Sequence, residues 1–299
     1  MQVRYDLHTP VMLNEVLDYL NLSPGKTIID ATIGVAGHSQ GILERISPGG
    51  RLIGIDQDKE SLRIAGEKLA GFAGNYKCIH GNFKDIATII KERNIDKIDG
   101  VLFDLGISSF QLDDPLRGFS FQQEGPLDMR LDRNNYISAY DLVNNLNEEE
   151  ISTLLWNFGQ ERWHNRIAHR LVQEREKQPI STTSQLADIV WHALPGRYRY
   201  QRIHPATRTF QAVRIAVNRE LEVLEIALAR AIELLGKAGR ICVISFHSLE
   251  DRIVKHGFKK AALDGKLDII TPKPLTPDRA ELKENPSSRS AKLRAGEKL

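Results

Sequence analysis

The residues best suited to chemistry stand at the ends of apolar runs. Asp30 closes Thr27-Ile-Ile-Asp30, Asp56 closes Arg51-Leu-Ile-Gly-Ile-Asp56, and Asp104 closes Ile98-Asp-Gly-Val-Leu-Phe-Asp104. Phe83 follows the run Tyr76-Lys-Cys-Ile-His80, and His247 follows Gly239-Arg-Ile-Cys-Val-Ile-Ser-Phe246. Between Asp30 and the helix-like Gln40-Gly-Ile-Leu-Glu-Arg-Ile46 lies a turn of small residues. In that turn Gly34, Ala36 and Gly37 let the backbone come close to a ligand, and the N–H groups opening the helix attract negative charge. Asp56 comes 19 positions after Gly37, near the interval at which a Rossmann-like unit sets an acid on ribose hydroxyls. The pattern suits a cofactor with a ribose and a charged tail.

Bringing these residues together takes a parallel sheet, because the strand ends of a doubly wound sheet share one ligand-binding edge. Runs with strand character alternate with helical spacing and predict four βα units that place Asp30, Asp56, Phe83 and Asp104 on that edge. A preceding helix is expected to open at Thr9-Pro10, a capping residue followed by proline, with Leu13, Val16, Leu17 and Leu20 on one face. From Asp114 to Val213 no strand pattern occurs, and amphipathic stretches such as Ile151, Leu154, Leu155 and Phe158 point to helices. All three tryptophans, Trp156, Trp163 and Trp191, fall there and are assigned to the core of that insertion rather than to base stacking. The sheet pattern resumes after Asn218 with a helical face of Leu221, Leu224, Leu228, Ile232 and Leu235, then a fifth strand at Gly239 to Phe246. Further strands are expected at Lys266 to Thr271 and Ala291 to Arg294. The expected fold is α/β: a doubly wound Rossmann-like core from residues 1–113 and 214–299, interrupted by a mainly helical domain at 114–213.

Composition is that of a globular protein, with no apolar run of membrane-spanning length and no apolar signal region in Met1 to His8, so a cytoplasmic location is expected. Only two cysteines occur, Cys78 and Cys242, each in a strand-like run, which leaves a disulfide framework or a multi-cysteine zinc site unsupported; no metal is expected. Residues 1–150 carry 15 basic and 23 acidic groups and residues 151–299 carry 26 and 16, so a net charge of +2 conceals halves of −8 and +10. The basic second half fits a polyanionic partner.

Three cofactor classes compete for the turn. A nucleoside triphosphate would call for G-x-x-x-x-G-K-[ST], which is absent, and a dinucleotide for G-x-G-x-x-G, whose later glycines are here Ala36 and Ser39. S-adenosylmethionine needs room for a sulfonium and an amino-acid tail, an acid for ribose, and polar and apolar groups for adenine, which Asp30, Gly34 to His38, Asp56, Phe83 and Asp104 supply.

The sequence also resembles a known family in His8-Thr-Pro-Val-Met-Leu13, Asp30 to Ser39, Asp104 to Asp113, Arg117-Gly-Phe-Ser-Phe121 and Pro126-Leu-Asp-Met-Arg130. His204-Pro-Ala-Thr-Arg-Thr-Phe-Gln211, Ser245 to Arg252 and Ser290-Ala-Lys-Leu-Arg294 extend the likeness over essentially the whole chain. It is similar to the ribosomal RNA small subunit methyltransferase H family. That resemblance implies a class I S-adenosylmethionine-dependent methyltransferase that modifies the exocyclic N4 of a cytosine in the decoding region of 16S rRNA, with the small ribosomal subunit as partner. It also assigns cofactor contacts to Ala36, Gly37, His38, Asp56, Phe83, Asp104 and Gln111. Two positions depart from the family pattern: Ala31 stands where a glycine is usual, and Ala36 replaces the first of a glycine pair. A contact at Ala36 that required positive φ would be strained.

For the reaction, an acceptor must hold the amine N–H and accommodate the positive charge that develops on attack. Asp104 suits both this role and a cofactor contact, and His247 is the second candidate, with a structural role in the Ser245 to Asp251 turn as its alternative. The RNA candidates are Arg197, Arg199, Arg202, His204 and Arg208, where arginines interleave with Tyr198 and Tyr200 as in surfaces that bind phosphates and stack bases. Arg289, Lys292 and Arg294 suit either phosphate contacts or a flexible basic terminus. The competing expectation is a non-catalytic RNA-binding ribosome assembly factor that retains a cofactor pocket, with a small-molecule methyltransferase the weaker rival. Bare RNA binding has no need of the strand-end acids.

Overall fold

The computed structural model describes residues 9–95, 97–200 and 202–299; His8 of the first motif and Gln201 of the basic loop lie outside them. The chain divides into two compact units, Met1–Gly106 with Leu221–Leu299, and Ile107–Glu220. The second unit encloses the whole of the expected insertion.

The first unit contains a seven-stranded sheet: β1 (Thr27–Asp30), β2 (Arg51–Asp56), β3 (Tyr76–His80), β4 (Ile98–Asp104), β5 (Leu235–Ser245), β6 (Leu267–Ile269) and β7 (Lys292–Lys298). The order is β3-β2-β1-β4-β5-β7-β6, with β1 to β5 parallel and β7 antiparallel to both β5 and β6. The strand order reverses beside β1, so the ends of β1 and β4 flank the crevice where a doubly wound sheet binds ligands. This is a doubly wound, Rossmann-like arrangement with an antiparallel strand added at one side.

Alternation along the strands explains why both faces are covered. Ile29, Ile53, Ile55, Val101, Phe103 and Val243 join one apolar cluster, with the helices Ile86–Lys91, Glu220–Leu234 and Ser248–Leu263. Their neighbours Ile28, Leu52, Leu102, Cys242 and Ile244 join the other, with the helices Leu13–Tyr19 and Gly37–Ile46. A strand with apolar residues on both sides reads as a continuous apolar run, as these do.

Several expected boundaries move. The first helix spans Leu13–Tyr19 rather than opening at Thr9-Pro10. Thr9 to Met12 form an irregular strap held by tertiary contacts: Pro10 lies over Gly37, the Met12 N–H donates to Glu281 Oε1 (2.7 Å), and Asn285 Nδ2 donates to the Thr9 carbonyl (3.0 Å). Leu235 belongs to β5 opposite Ile98, not to the preceding helix; the register then shifts through Gly236 to Gly239, a stretch in which Ala238 has φ 62. The last strand begins at Lys292, where Lys292 and Arg294 both pair with Asp251 (3.2 and 2.7 Å), so these two cations brace the sheet rather than form a loose tail.

The second unit is helical: Ser109–Asp113, Ala139–Asn145, Glu148–Gly159, His164–Arg175, Thr183–Ala193 and Ala206–Asn218. Capping boxes at Ser138/Asp141, Asn147/Glu150 and Thr182/Gln185 satisfy the N–H groups that open three of them. Its core gathers Leu155, Ile167, Leu171, Leu186, Val190, Phe210 and Val213. Trp163 packs partly buried against that core, but Trp156 is 56% exposed, contrary to the expectation that all three tryptophans are core residues. No described helix is long and apolar enough to cross a membrane.

Candidate functional site

The turn after β1 is braced from within. Asp30, 2% exposed, accepts from Ser39 Oγ (2.7 Å) and from the Thr32 N–H (3.2 Å). Burial pushes its carboxyl up to about 6, with the Ser39 hydroxyl opposing. Gly34 (φ 49) and Ala36 (φ 62) are both left-handed. The strained alternative for Ala36 is therefore the one adopted, at a cost of about 1–2 kcal/mol for an L-residue. Ala36 is also the N-cap of the helix Gly37–Ile46 and supplies no side-chain acceptor, so the opening N–H groups of that helix are not capped by it.

Asp56, at the end of β2, lies across from this turn. Its Oδ2 accepts from the Gly34 N–H and its Oδ1 from the Asp58 N–H, both at 2.9 Å. Burial raises its carboxyl to about 6 despite these two donors. Each oxygen keeps a second lone pair for a ribose hydroxyl. Asp56→Ala is expected to cost about 1.5–3 kcal/mol of cofactor binding, the range for hydrogen bonds to a charged group. Isothermal calorimetry checks this, and unchanged affinity would remove Asp56 from the ribose. Phe83 opens the segment after β3 and packs edge-on against Phe103 of β4 (5.6 Å, 83°), which fixes its ring at the same strand edge.

At the end of β4, the Asp104 N–H donates to Thr32 Oγ1 (2.7 Å), tying this strand end to the β1 turn. Asp104 Oδ2 lies 3.4 Å from Nδ1 of His38, which is 5% exposed. The other imidazole nitrogen, Nε2, is 2.9 Å from the Val11 carbonyl. A carbonyl only accepts, so Nε2 carries hydrogen and Nδ1 is the position that gains or loses a proton against Asp104. Burial lowers the His38 pKa, with Asp30 opposing it. Burial, followed by repulsion from Glu250, raises Asp104 to about 7. Asp104 Oδ1 is buried with no hydrogen-bond partner among the described residues.

These shifts set the sign of a pH effect. An acid whose pKa rises from 3.8 to about 7 on folding contributes stability that is fully present below 3.8 and lost as pH rises through 7. Asp104→Asn cannot ionise, and it is expected to gain stability over the parent as pH rises from about 4 to about 7, then to hold that margin. Urea midpoints across this range check it; parallel curves for parent and variant would contradict it. Asp56 acts in the same direction in both proteins, and the difference reports the loss of the Asp104 charge together with its repulsion of Asp30.

His247 is placed otherwise than as a free base. It caps the helix Ser248–Leu263: its Nδ1 accepts from the Glu250 N–H (3.4 Å), and its Nε2 lies 3.2 Å from Glu250 Oε1. Glu250 in turn accepts from the Phe246 N–H (2.9 Å), so His247 takes part in the hydrogen bonding of this turn. Gln111 belongs to the second unit, buried in a capping box with Ser108 in which each side chain serves the other's backbone N–H (3.2 Å both ways).

The RNA candidates divide into two groups. Arg197, Arg202 and Arg208 are exposed. Arg199 instead donates from Nε to the Leu194 carbonyl (2.9 Å) and from Nη2 to the His192 carbonyl (3.2 Å), closing the end of the helix Thr183–Ala193. His204 is stacked between Trp191 (5.4 Å, 22°) and Phe121 (4.6 Å), its Nδ1 accepts from the Ala206 N–H (3.2 Å), and burial lowers its pKa. Tyr200 stands on the edge of Trp191 and is 85% exposed. Arg199 and His204 thus shape the loop that displays Arg197, Tyr200 and Arg202.

Val11, Thr32 and Ser39 lie inside quoted motifs without a role of their own being read for them, and Glu281 lies outside every motif, yet all four position the site. Their signal was faint: a hydroxyl two residues after Asp30, another nine after it, and a carbonyl and a carboxylate whose use depends on tertiary contact.

A model of the MraW methylase family matches residues 6–299. The chain is 48% identical to the Ribosomal RNA small subunit methyltransferase H of Trichlorobacter lovleyi over 98% of each chain. It is 44% identical to the protein of that name from Clostridioides difficile over 98% of this chain and 99% of that one. Among solved structures, an rRNA methylase from Streptococcus thermophilus aligns over 95% of both chains with a TM-score of 0.44 and 10% identity.

Proposed function

The chain belongs to the MraW methylase family, and from that membership we propose that it methylates the exocyclic N4 of a cytosine in the decoding region of small-subunit ribosomal RNA. S-adenosylmethionine is the cofactor, and when bound it supplies a methyl group already activated by a sulfonium. The chain offers groups that fit it: the opening N–H groups of the helix Gly37–Ile46 for a carboxylate, Asp56 for ribose hydroxyls, and Asp104 Oδ1, unpartnered among the described residues, for a cationic donor.

The observation that carries the reading is the Asp104–His38 pair beside this turn. Cytosine N4 is a poor nucleophile because its lone pair is delocalised into the ring. Asp104 answers this by accepting the amine N–H, which orients the nitrogen and stabilises the charge that develops as the new bond forms. The released proton goes to Asp104, whose raised pKa suits it to hold a proton near neutrality. His38, oriented by Val11, presents Nδ1 as the next acceptor.

Arg197, Arg202 and Arg208 serve phosphates, and Tyr200 offers a face for a base. A cytosine in a paired stem must first leave the stack, at a cost of a few kcal/mol. The small-subunit assignment rests on the names of the relatives, and the amine assignment rests on the carboxyl held beside a proton acceptor. A non-catalytic assembly factor would have no use for that pair. Incubation with methyl-labelled cofactor and small ribosomal subunits is expected to put label into the rRNA; RNA binding without label would instead support the assembly-factor reading.

A further inference from the structure

The exposed Trp156 is the starting point. It sits on the helix Glu148–Gly159 and packs on His164 with ring centroids 5.1 Å apart. His164 cannot swing away, because its Nδ1 is 2.7 Å from Ser152 Oγ, which itself donates to Asn165 Oδ1 (2.6 Å). A large aromatic face is therefore held outward on a rigid support, 56% exposed.

Trp163, which precedes His164 in the chain, leads from this support to cations. Arg162 is exposed and its guanidinium lies over Trp163 (5.6 Å); Trp163 meets Tyr198 (5.1 Å), and Arg197 lies over Tyr198 (4.8 Å). Arg162 and Arg197 have no carboxylate partner among the described residues. Glu161, the nearest acid in sequence, is buried and accepts from the Trp163 N–H (2.8 Å). The same helix end bears on Arg208, whose carbonyl lies 2.7 Å from the position a Cβ would take on Gly159. Cations interleaved with aromatic faces, one of them free, match a surface that tracks a nucleic-acid backbone and stacks its bases.

We infer that Trp156, backed by His164, whose neighbour Trp163 meets Tyr198 of the Arg197 loop, is a second RNA contact on which an unpaired base stacks while the guanidinium groups of Arg162 and Arg197 hold the flanking phosphates. This rests on the reading of the substrate as ribosomal RNA. Neutral and charged members of the surface then leave different marks on binding.

Filter binding of in vitro transcribed small-subunit rRNA over a series of KCl concentrations distinguishes them. Trp156→Leu is expected to weaken binding roughly 5- to 150-fold without changing the salt slope. Trp156→Tyr, which keeps an aromatic face, should stay within about 3-fold of the parent. Arg162→Ala should reduce the slope of log affinity on log salt by about 0.7–0.9, the signature of one lost phosphate contact. Circular dichroism melts establish that the exposed substitutions leave folding intact. Folded Trp156→Leu and Arg162→Ala proteins that bind with parental affinity and slope would overturn the inference while leaving the RNA reading standing. A parent protein that itself fails to bind rRNA would overturn both. Loss of a concentration-dependent dimer in sedimentation by Trp156→Leu, with RNA binding untouched, would assign the surface to a second copy and also overturn the inference.

Discussion

Asp104→Asn is expected to lower the rate of methyl transfer by roughly 10²–10⁴-fold, the contribution usual for a positioned proton acceptor. The substitution keeps shape and size but replaces an oxygen that accepts with an amide nitrogen that donates, so it cannot take the amine proton and can present a donor to a donor. Cofactor affinity should fall much less, because the uncapped helix start and Asp56 remain in place. Single-turnover rates alongside calorimetric affinities separate the two. A variant that loses cofactor affinity but keeps its rate when saturated would make Asp104 a cofactor residue only. Asp56→Ala should give that opposite pattern, which makes the two variants controls for each other. The same Asp104→Asn protein should be more stable than the parent near neutral pH, since desolvation and repulsion from Glu250 oppose ionisation of Asp104, and its buried Oδ1 has no donor among the described residues. A residue that costs stability and supports rate is the pattern of a functional group rather than a structural one.

Gly118→Ala is expected to destabilise the second unit by about 3 kcal/mol, combining left-handed backbone strain with overpacking. Gly118 has φ +70, and a Cβ there would come within 2.2 Å of the Pro126 carbonyl oxygen and 2.8 Å of the Asp128 nitrogen. Those are backbone atoms that cannot rotate away. The segment they belong to has little regular structure and is held by specific bonds. The Met129 N–H donates to the Arg117 carbonyl (3.0 Å), Arg117 Nη2 donates to the carbonyls of Arg130 and Leu131 (3.1 and 3.0 Å), and Asn218 Nδ2 donates to the Met129 carbonyl (2.8 Å). Moving one strand of this arrangement loosens the rest. Hydrogen exchange at the Leu127 and Met129 amides, which donate to Ser181 and Arg117, gives a local readout. Unchanged protection of both in the variant would contradict the account.

The strands were legible because each carries an apolar run bounded by turn residues, and the acids at their ends announced which edge mattered. Periodicity could not place the start of the first helix, because Thr9 to Met12 are held by Glu281, Asn285 and Gly37 rather than by a local cap. It also carried Leu235 one residue too far along a helical face that β5 claims through its pairing with Ile98. The motifs Arg117 to Phe121 and Pro126 to Arg130 were visible as motifs but not as structure. Their order comes from side chain to backbone bonds that have no period. At the site, Asp30, Asp56 and Asp104 were found from strand ends alone, whereas the pairing of His38 with Asp104 was hidden, because the histidine read as a turn residue and its partner lies on another strand. His247 illustrates the converse: a histidine at a strand end invites a catalytic reading, and the capping box with Glu250 supplies the structural alternative beside it. Residue type alone assigns Trp156 to the core, and its exposure turns it into a candidate contact.

The most direct test of the central claim is nucleoside analysis of small-subunit rRNA after reaction with methyl-labelled S-adenosylmethionine and this protein. Digestion and mass spectrometry should return the label as N4-methylcytidine from a single oligonucleotide of the decoding region, and Asp104→Asn should remove it. Label on another base, on ribose, or on small molecules with none in the rRNA would contradict the assignment of Asp104 to an exocyclic amine.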